Sequence, residues 1–179
     1  DVVKQGRKTL FEVREKRVKP GRDEKIQANW NGLMISAFAV AYQVLDEPAY
    51  LEAAERAARF ILDRMRTGEG RLLHIYKDGR ARFGGYQDDY AFLINALVDL
   101  YEATFDAAWL KEAEGLSQTM VDQFWDELEG GFFFIGRDHD KLIVRSKNPN
   151  DNAIPSGNSV GAMVLMRLGT LLDRKDFWE

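Results

Sequence analysis

Asp88 and Asp89 are the residues best placed to do chemistry. They follow two glycines in Gly84-Gly85-Tyr86-Gln87-Asp88-Asp89-Tyr90 and precede a mainly apolar run to Phe105. Glycines free the backbone to turn, and a helix N-terminus favours negative charge, so this stretch reads as the rim of a pocket. A carboxylate serves as general acid, general base or nucleophile when sugar bonds are broken, and two neighbouring carboxylates raise the pKa of one of them. Adjacent helical residues diverge by about 100°, so the pair is not expected to face one substrate. The plainer alternative is that one aspartate caps a helix beginning near Tyr90 while the other bonds a neighbouring loop. Both readings hold if each aspartate takes one role.

Other polar and aromatic residues occupy comparable positions. Asn29, Trp30 and Asn31 precede one charge-poor segment, and Ser156, Asn158 and Ser159 open another. Amides and hydroxyls beside aromatics suit a sugar, which needs hydrogen bonds around its ring plane and apolar contact on its faces. They equally suit helix caps, the preferred reading for Ser156 and Asn158. Trp30, Tyr86 and Tyr90 stack on a ligand or else fill the core. His74 alternates with Leu73 and Ile75 as in a strand, facing either a pocket mouth or a structural partner. Arg145 and Lys147 either neutralise an anionic substrate or pair with nearby aspartates. The candidates are therefore Asp88 and Asp89 for catalysis, and Trp30, Asn31, His74, Tyr86, Tyr90, Ser156 and Asn158 for substrate contact. No cofactor is expected, and no metal, because no set of His and carboxylates has ligand spacing.

The 179 residues suffice for one sizeable core, and their 45% hydrophobic and 30% charged content is that of an ordinary globular protein. A formal net charge of -4 supplies no cationic field for phosphate backbones or anionic lipid, so neither nucleic acid nor membrane is an expected partner. The absence of cysteine excludes disulfides, thiolate nucleophiles and cysteine-held clusters within this chain. The uncharged run from Ile26 to Leu45 contains Gln27, Asn29, Asn31, Gly32, Ser36 and Gln43, and reads as a buried helix rather than a membrane span. Because the chain starts at Asp1, a preceding segment is expected to be missing, and no compartment is assigned.

These candidates must be positioned by helices. Val3 to Arg17 reads as a basic helix with a narrow apolar stripe, ended by Pro20-Gly21; its interspersed Glu12 and Glu15 mark a solvated face rather than a polyanion site. Asn31 to Leu45 carries no Asp, Glu, Lys or Arg and is expected to be surrounded by protein. Tyr50 to Arg66 places Leu51, Ala54, Ala58, Ile61, Leu62 and Met65 on one face and charges on the other, as in an outer helix with one wet side. The unit then recurs at an offset of 59 residues, laying Leu33-Met34-Ile35 on Phe92-Leu93-Ile94, Tyr42 on Tyr101 and Ala54 on Ala113. Tyr90 to Thr104 is the second charge-poor helix, with only Asp99 and Glu102; Trp109 to Trp125 is its amphipathic partner. Gly157 to Leu172, charged only at Arg167, begins a third unit.

Two β-hairpins are expected between the helix pairs. Leu72 to Tyr76 and Ala81 to Phe83 flank Asp78-Gly79, a pair suited to a type I′ turn. Phe132 to Ile135 and Leu142 to Arg145 flank a longer loop. Alternating dry and wet helices with a period near 60 residues build a solenoid or a closed ring of helical hairpins. The ring is preferred, because solenoid repeats usually run about 33 to 47 residues without a hairpin after each pair. The fold class is thus all-α, with repeated helical hairpins and short β-hairpins between them, and with pocket-lining loops leading into the inner helices.

Arg17, Pro20, Asp23, Lys25-Ile26 and Trp30-Asn31-Gly32-Leu33, then Asp88-Asp89-Tyr90-Ala91, Leu142 to Lys147 and Pro155-Ser156-Gly157-Asn158-Ser159, resemble in order and spacing the YyaL-type or spermatogenesis-associated protein family. That resemblance covers about Leu10 to Leu172. It implies an (α/α)6 toroid, similar to N-acylglucosamine 2-epimerases and six-hairpin glycosidases, attached to a thioredoxin-like domain absent from this chain. It also implies that about half of the twelve toroid helices are present. Residues 1–179 then form a single partial domain, with an N-terminal helix and linker at 1–28, repeats at 29–86 and 87–152, and the start of a third at 153–179. The resemblance carries over no catalytic residues; with the carboxylates read above, the expected function is a carbohydrate-active domain, hydrolase or epimerase, with acid/base work by Asp88 or Asp89. The alternative is a non-catalytic binding or interaction module serving the thioredoxin-like domain. The related epimerases use paired histidines, whereas this chain has His74 and a His139 assigned to a hairpin loop. Exposed repeat ends are expected to drive self-association, unless residues 3–18 fold over one edge as a cap.

Overall fold

The charge-poor segments become the inner helices because they have no face that prefers water. A computed structural model describes residues 1–140 and 143–177, with α1 at Val2–Glu15, α2 at Ala28–Leu45, α3 at Pro48–Arg64, α4 at Gln87–Thr104, α5 at Ala107–Phe124 and α6 at Gly157–Leu172. Helix α4 is central, flanked by α2 and α6, while α3 backs α2 and α5 backs α4. From Tyr90 to Leu100 its residues are buried almost without interruption, only Asn95 being partly open, because three helices cover it. Full burial of side chains such as Phe92 and Leu97 contributes about 1.5–3 kcal/mol each. Helices α2 and α4 meet backbone to backbone at Gly32, where a Cβ would lie 2.8 Å from the Leu93 nitrogen and the Phe92 carbonyl carbon.

The repeat seen in the sequence is repeated in the turns. Asp46, Phe105 and Asp173 end α2, α4 and α6 in the left-handed region, at φ of 51°, 56° and 54°. Their N–H groups donate to the carbonyls of Tyr42, Tyr101 and Gly169. Four residues beyond each cap stands an aromatic: Tyr50, Trp109 or Phe177, the last in a short 3₁₀ turn at Lys175–Phe177. Such tight turns make α2 and α4 antiparallel to α3 and α5, the outer helices that follow them.

The first hairpin forms as expected. Strands β2 (Leu73–Lys77) and β3 (Arg80–Gly84) pair antiparallel across Asp78-Gly79, whose φ values of 52° and 76° define the type I′ turn. A strand not anticipated, β1 (Ile26–Gln27), adds antiparallel to β2 and hands the chain directly to α2. For the second hairpin, Leu142 lies outside the described residues, and Phe132 to Ile135 forms no regular strand. That segment is held instead by a bridge between Trp125 and Phe132, by the Phe134 N–H donating to the Ser146 carbonyl, and by the Gln87 N–H donating to the Phe134 carbonyl.

Helix α4 begins at Gln87, slightly ahead of the expected start at Tyr90, because extended Tyr86 is its N-cap and Asp89 accepts the Tyr86 N–H. Two expectations are corrected. Helix α2 is not surrounded by protein among the described residues, since Trp30, Met34, Val40 and Val44 are exposed along it. Helix α1 buries no residue and leaves Val3, Leu10, Phe11 and Val13 exposed, so it does not cap an edge of the bundle. None of the described helices is long and apolar enough to cross a membrane.

Candidate functional site

Asp89 is locked into the scaffold. Its side chain is 0% exposed and accepts the Asn29 N–H at 2.9 Å, the Tyr86 N–H at 2.8 Å and the His74 Nδ1–H at 2.9–3.0 Å. One carboxylate thereby ties the start of α2, the cap of α4 and strand β2 together. It has no face left for a substrate, so the capping role expected for one of the two aspartates falls to Asp89 through the third position of its own helix.

Asp88 points the other way. It is half-buried and accepts a hydrogen bond from the Gly157 N–H at the start of α6. Burial and then the nearby Asp89 charge push its carboxyl up to about 6, against the opposing pull of the Gly157 amide and His74. Gln87, buried beside it, donates to the Gly157 carbonyl at 2.8 Å. A carboxyl near 6 exchanges protons close to neutrality, as general acid/base work requires.

His74 lies close enough to this carboxyl to act on its charge, and it is oriented by the other. With Nδ1–H directed at Asp89, its Nε2 has no protein partner among the described residues, and the side chain keeps 16% exposure. An imidazole held by a buried carboxylate with its second nitrogen open is the arrangement that lets histidine move protons. Tyr86 stands between the chain's two histidines: His74 meets its ring edge-on at 4.9 Å and His139 stacks at 5.6 Å, with Phe134 stacked at 4.8 Å. His139 is brought near the site from its loop, but both nitrogens are engaged, Nδ1 accepting the Gly136 N–H and Nε2 donating to the Gly84 carbonyl.

Below Asp88, an inner groove of about 360 Å³ runs between α2, α4 and α6. Phe92 and Asn95 of α4 share the Asp88 face of that helix at i+4 and i+7, with Ser36 opposite on α2, and Ser159 and Met163 on α6. Behind Ser36 and Asn95 the charges in the middle and last turns of α4 meet the one of α6. Arg167 donates to Asn95 Oδ1 at 2.6 Å and Asp99 Oδ1 at 2.7 Å and pairs with Glu102 at 3.0 Å, while Ser36 Oγ and Asn95 Nδ2 donate to Asp99 Oδ2. This network was not anticipated from sequence. Its signal was present in the few charges within the apolar bodies of α4 and α6, Asp99, Glu102 and Arg167, which must find one another or water.

The remaining candidates divide. Trp30 is 61% exposed at the start of α2 and free to stack, and half-buried Asn31 donates to the Gln27 carbonyl. Tyr90 is core: fully buried, it accepts the Leu72 N–H, and Arg71 lies over its ring. Ser156 is the N-cap of α6, accepting the N–H groups of Asn158 and Ser159 and donating to the Asn148 carbonyl. Asn158 bonds both backbone groups of Phe132. Arg145 donates to the Ile135 and Gln123 carbonyls, and Lys147 pairs with Asp126, so both are structural. Among the described residues, no group of three or more His, Asp or Glu side chains is placed to hold a metal ion.

Inner helices bearing an outer layer, with polar groups converging where the inner helices begin, define this chain as part of an (α/α)6 toroid. The cellobiose 2-epimerase of Bacillus thermoamylovorans superposes with a TM-score of 0.72 at 17% identity, over 89% of this chain and 43% of that one. The unsaturated glucuronyl hydrolase of Bacillus sp. GL1 does so with 0.65 at 15%, over 89% of this chain and 44% of that one. By sequence the chain is a homologue of the spermatogenesis-associated proteins: it is 36% identical to human spermatogenesis-associated protein 20 over 188 residues, 99% of this chain. It spans about a quarter of that relative's length, 24%. No family model matches the sequence.

Proposed function

We propose that this chain supplies the acid/base groups of a carbohydrate-active site, with Asp88 and His74 exchanging protons with a sugar and Asp89 orienting His74. The observation that carries this reading is a half-buried Asp88 carboxyl where α4 and α6 begin, within electrostatic range of a His74 imidazole that Asp89 orients. Support also comes from the fold, which is shared with sugar epimerases, an isomerase and glycoside hydrolases. Hydrolysis and epimerisation both require a proton donor and a proton acceptor near one sugar carbon or oxygen, and an aspartate beside a histidine provides such a pair. Trp30, exposed at the start of α2, offers apolar surface to a ring face.

The test is turnover of a panel of mono- and disaccharides followed by NMR, which distinguishes epimerised from hydrolysed products. Asp88→Asn and His74→Gln should each abolish turnover while the folded protein persists. Full activity in both variants would refute the proposal. A second reading, a non-catalytic interaction module of a longer protein, is favoured by the exposed apolar residues of α1; it expects no turnover from any sugar.

A further inference from the structure

We infer that the inner groove selects neutral or amino sugars and rejects uronates and other anionic sugars. This rests on the carbohydrate reading above and adds to it the substrate class.

A groove that accepts an anionic sugar needs an uncommitted cation, because a carboxylate leaving water must be paired. The groove lining contains Ser36, Asn95 and Ser159 as neutral polar groups, Phe92 and Met163 as apolar surface, and Asp151 as its charged member. Among the described residues, Arg167 is the cation bonded to this wall, donating to Asn95, and it is fully committed. Its guanidinium is shared between Asp99 and Glu102, and one of its N–H groups also engages Asn95. Burial opposes its charge, yet the Glu102 and Asp99 carboxylates hold its pKa above the ordinary value. Two carboxylates on one guanidinium leave the floor of the groove with excess negative charge.

The upper end adds more. Asp151 accepts the Ser156 N–H at 2.7 Å and stays exposed at the rim, and Asp88 precedes Phe92 by one turn on the same face of α4. Lys147 is held by Asp126, and Arg145 by backbone carbonyls, so neither is free to offset these carboxylates. A uronate entering here meets like charge at both ends. A hydroxyl-rich neutral sugar meets acceptors, and an amino sugar meets acceptors and a favourable field.

The experiment is an NMR titration of the chain with glucose, glucosamine and glucuronate at pH 7 and low salt, with Glu102→Gln in parallel. Glu102 is half-exposed, so its amide variant is expected to fold, and circular dichroism checks this. Glucose and glucosamine should bind, with glucuronate at least tenfold weaker, and Glu102→Gln should narrow that gap by partly releasing Arg167. Glucuronate binding as tightly as glucose, or a gap unchanged in Glu102→Gln, would overturn the inference while leaving the carbohydrate reading in place. Binding of none of the three overturns both.

Discussion

Gly157 lies so close to Asp88 that a Cβ built on the glycine would fall 2.0 Å from the Asp88 Oδ1, and equally 2.0 Å from the Gln87 Oε1. The absent side chain lets the first turn of α6 present its N–H to one residue and its carbonyl to the other. Gly157→Ala must therefore displace two side chains at once, one of them buried. Overpacking of this kind costs about 1–3 kcal/mol, read as a lower midpoint in urea. An unchanged midpoint would show that the contact yields freely.

Asp88 makes stability depend on pH with a definite sign. Its carboxyl is raised from 3.8 in the unfolded chain to about 6 in the folded one, so the folded state holds the proton more tightly. Its contribution is greatest below about pH 4 and falls as pH rises to about 6. The full shift would correspond to about 3 kcal/mol, reduced to about 1–2 kcal/mol by solvent screening of a half-exposed group. Asp88→Asn should flatten the urea-midpoint profile over that interval and be the more stable protein at pH 7. Parallel profiles for the two proteins would contradict the assignment.

Asp89→Asn should behave in the opposite manner. An amide keeps one acceptor but turns an NH₂ toward donors, leaving the Asn29 N–H, the Tyr86 N–H or His74 without its partner. The expected loss is about 1–3 kcal/mol at neutral pH, with proton exchange accelerated at the Asn29 and Tyr86 amides. Hydrogen exchange at wild-type rates would mean that the carboxylate is not what closes these helix ends.

Exposed Leu10 and Phe11 on α1, with Trp30, Met34 and Val44 on α2, form apolar surface that isolated chains tend to cover. Light scattering should give a mass above 20.5 kDa that rises with concentration in the micromolar range. The double change Leu10→Lys and Phe11→Lys should lower it. A constant monomer mass would reject self-association.

Much of the architecture was legible because it follows from which faces avoid water. Leu51, Ala54, Ala58 and Ile61 mark a one-sided outer helix, and the uncharged run after Asn31 an inner one; Asp78-Gly79 dictated its turn through its left-handed preference. Phe132 to Ile135 forms no regular strand because it takes partners from Gln87 and Asn158, distant in sequence, as well as from Ser146. The site was only half legible for the same reason. Consecutive aspartates announced themselves, yet α4 begins at Gln87, slightly ahead of the expected start at Tyr90, and that shift placed Asp89 where it closes its own helix.

The sequence by itself determined that two carboxylates stand at the start of a buried helix, that neighbouring residues on that helix diverge, and that the inner segments carry very few charges. Only the tertiary structure decided that Asp89 turns to Asn29 and His74, that Asp88 turns to Gly157, and that Arg167 is shared by Asp99 and Glu102. Those choices depend on which backbone amides and side chains arrive from α2, β2 and α6. Desolvation of a charge is costly enough that each carboxylate takes whatever donor the packing brings within reach.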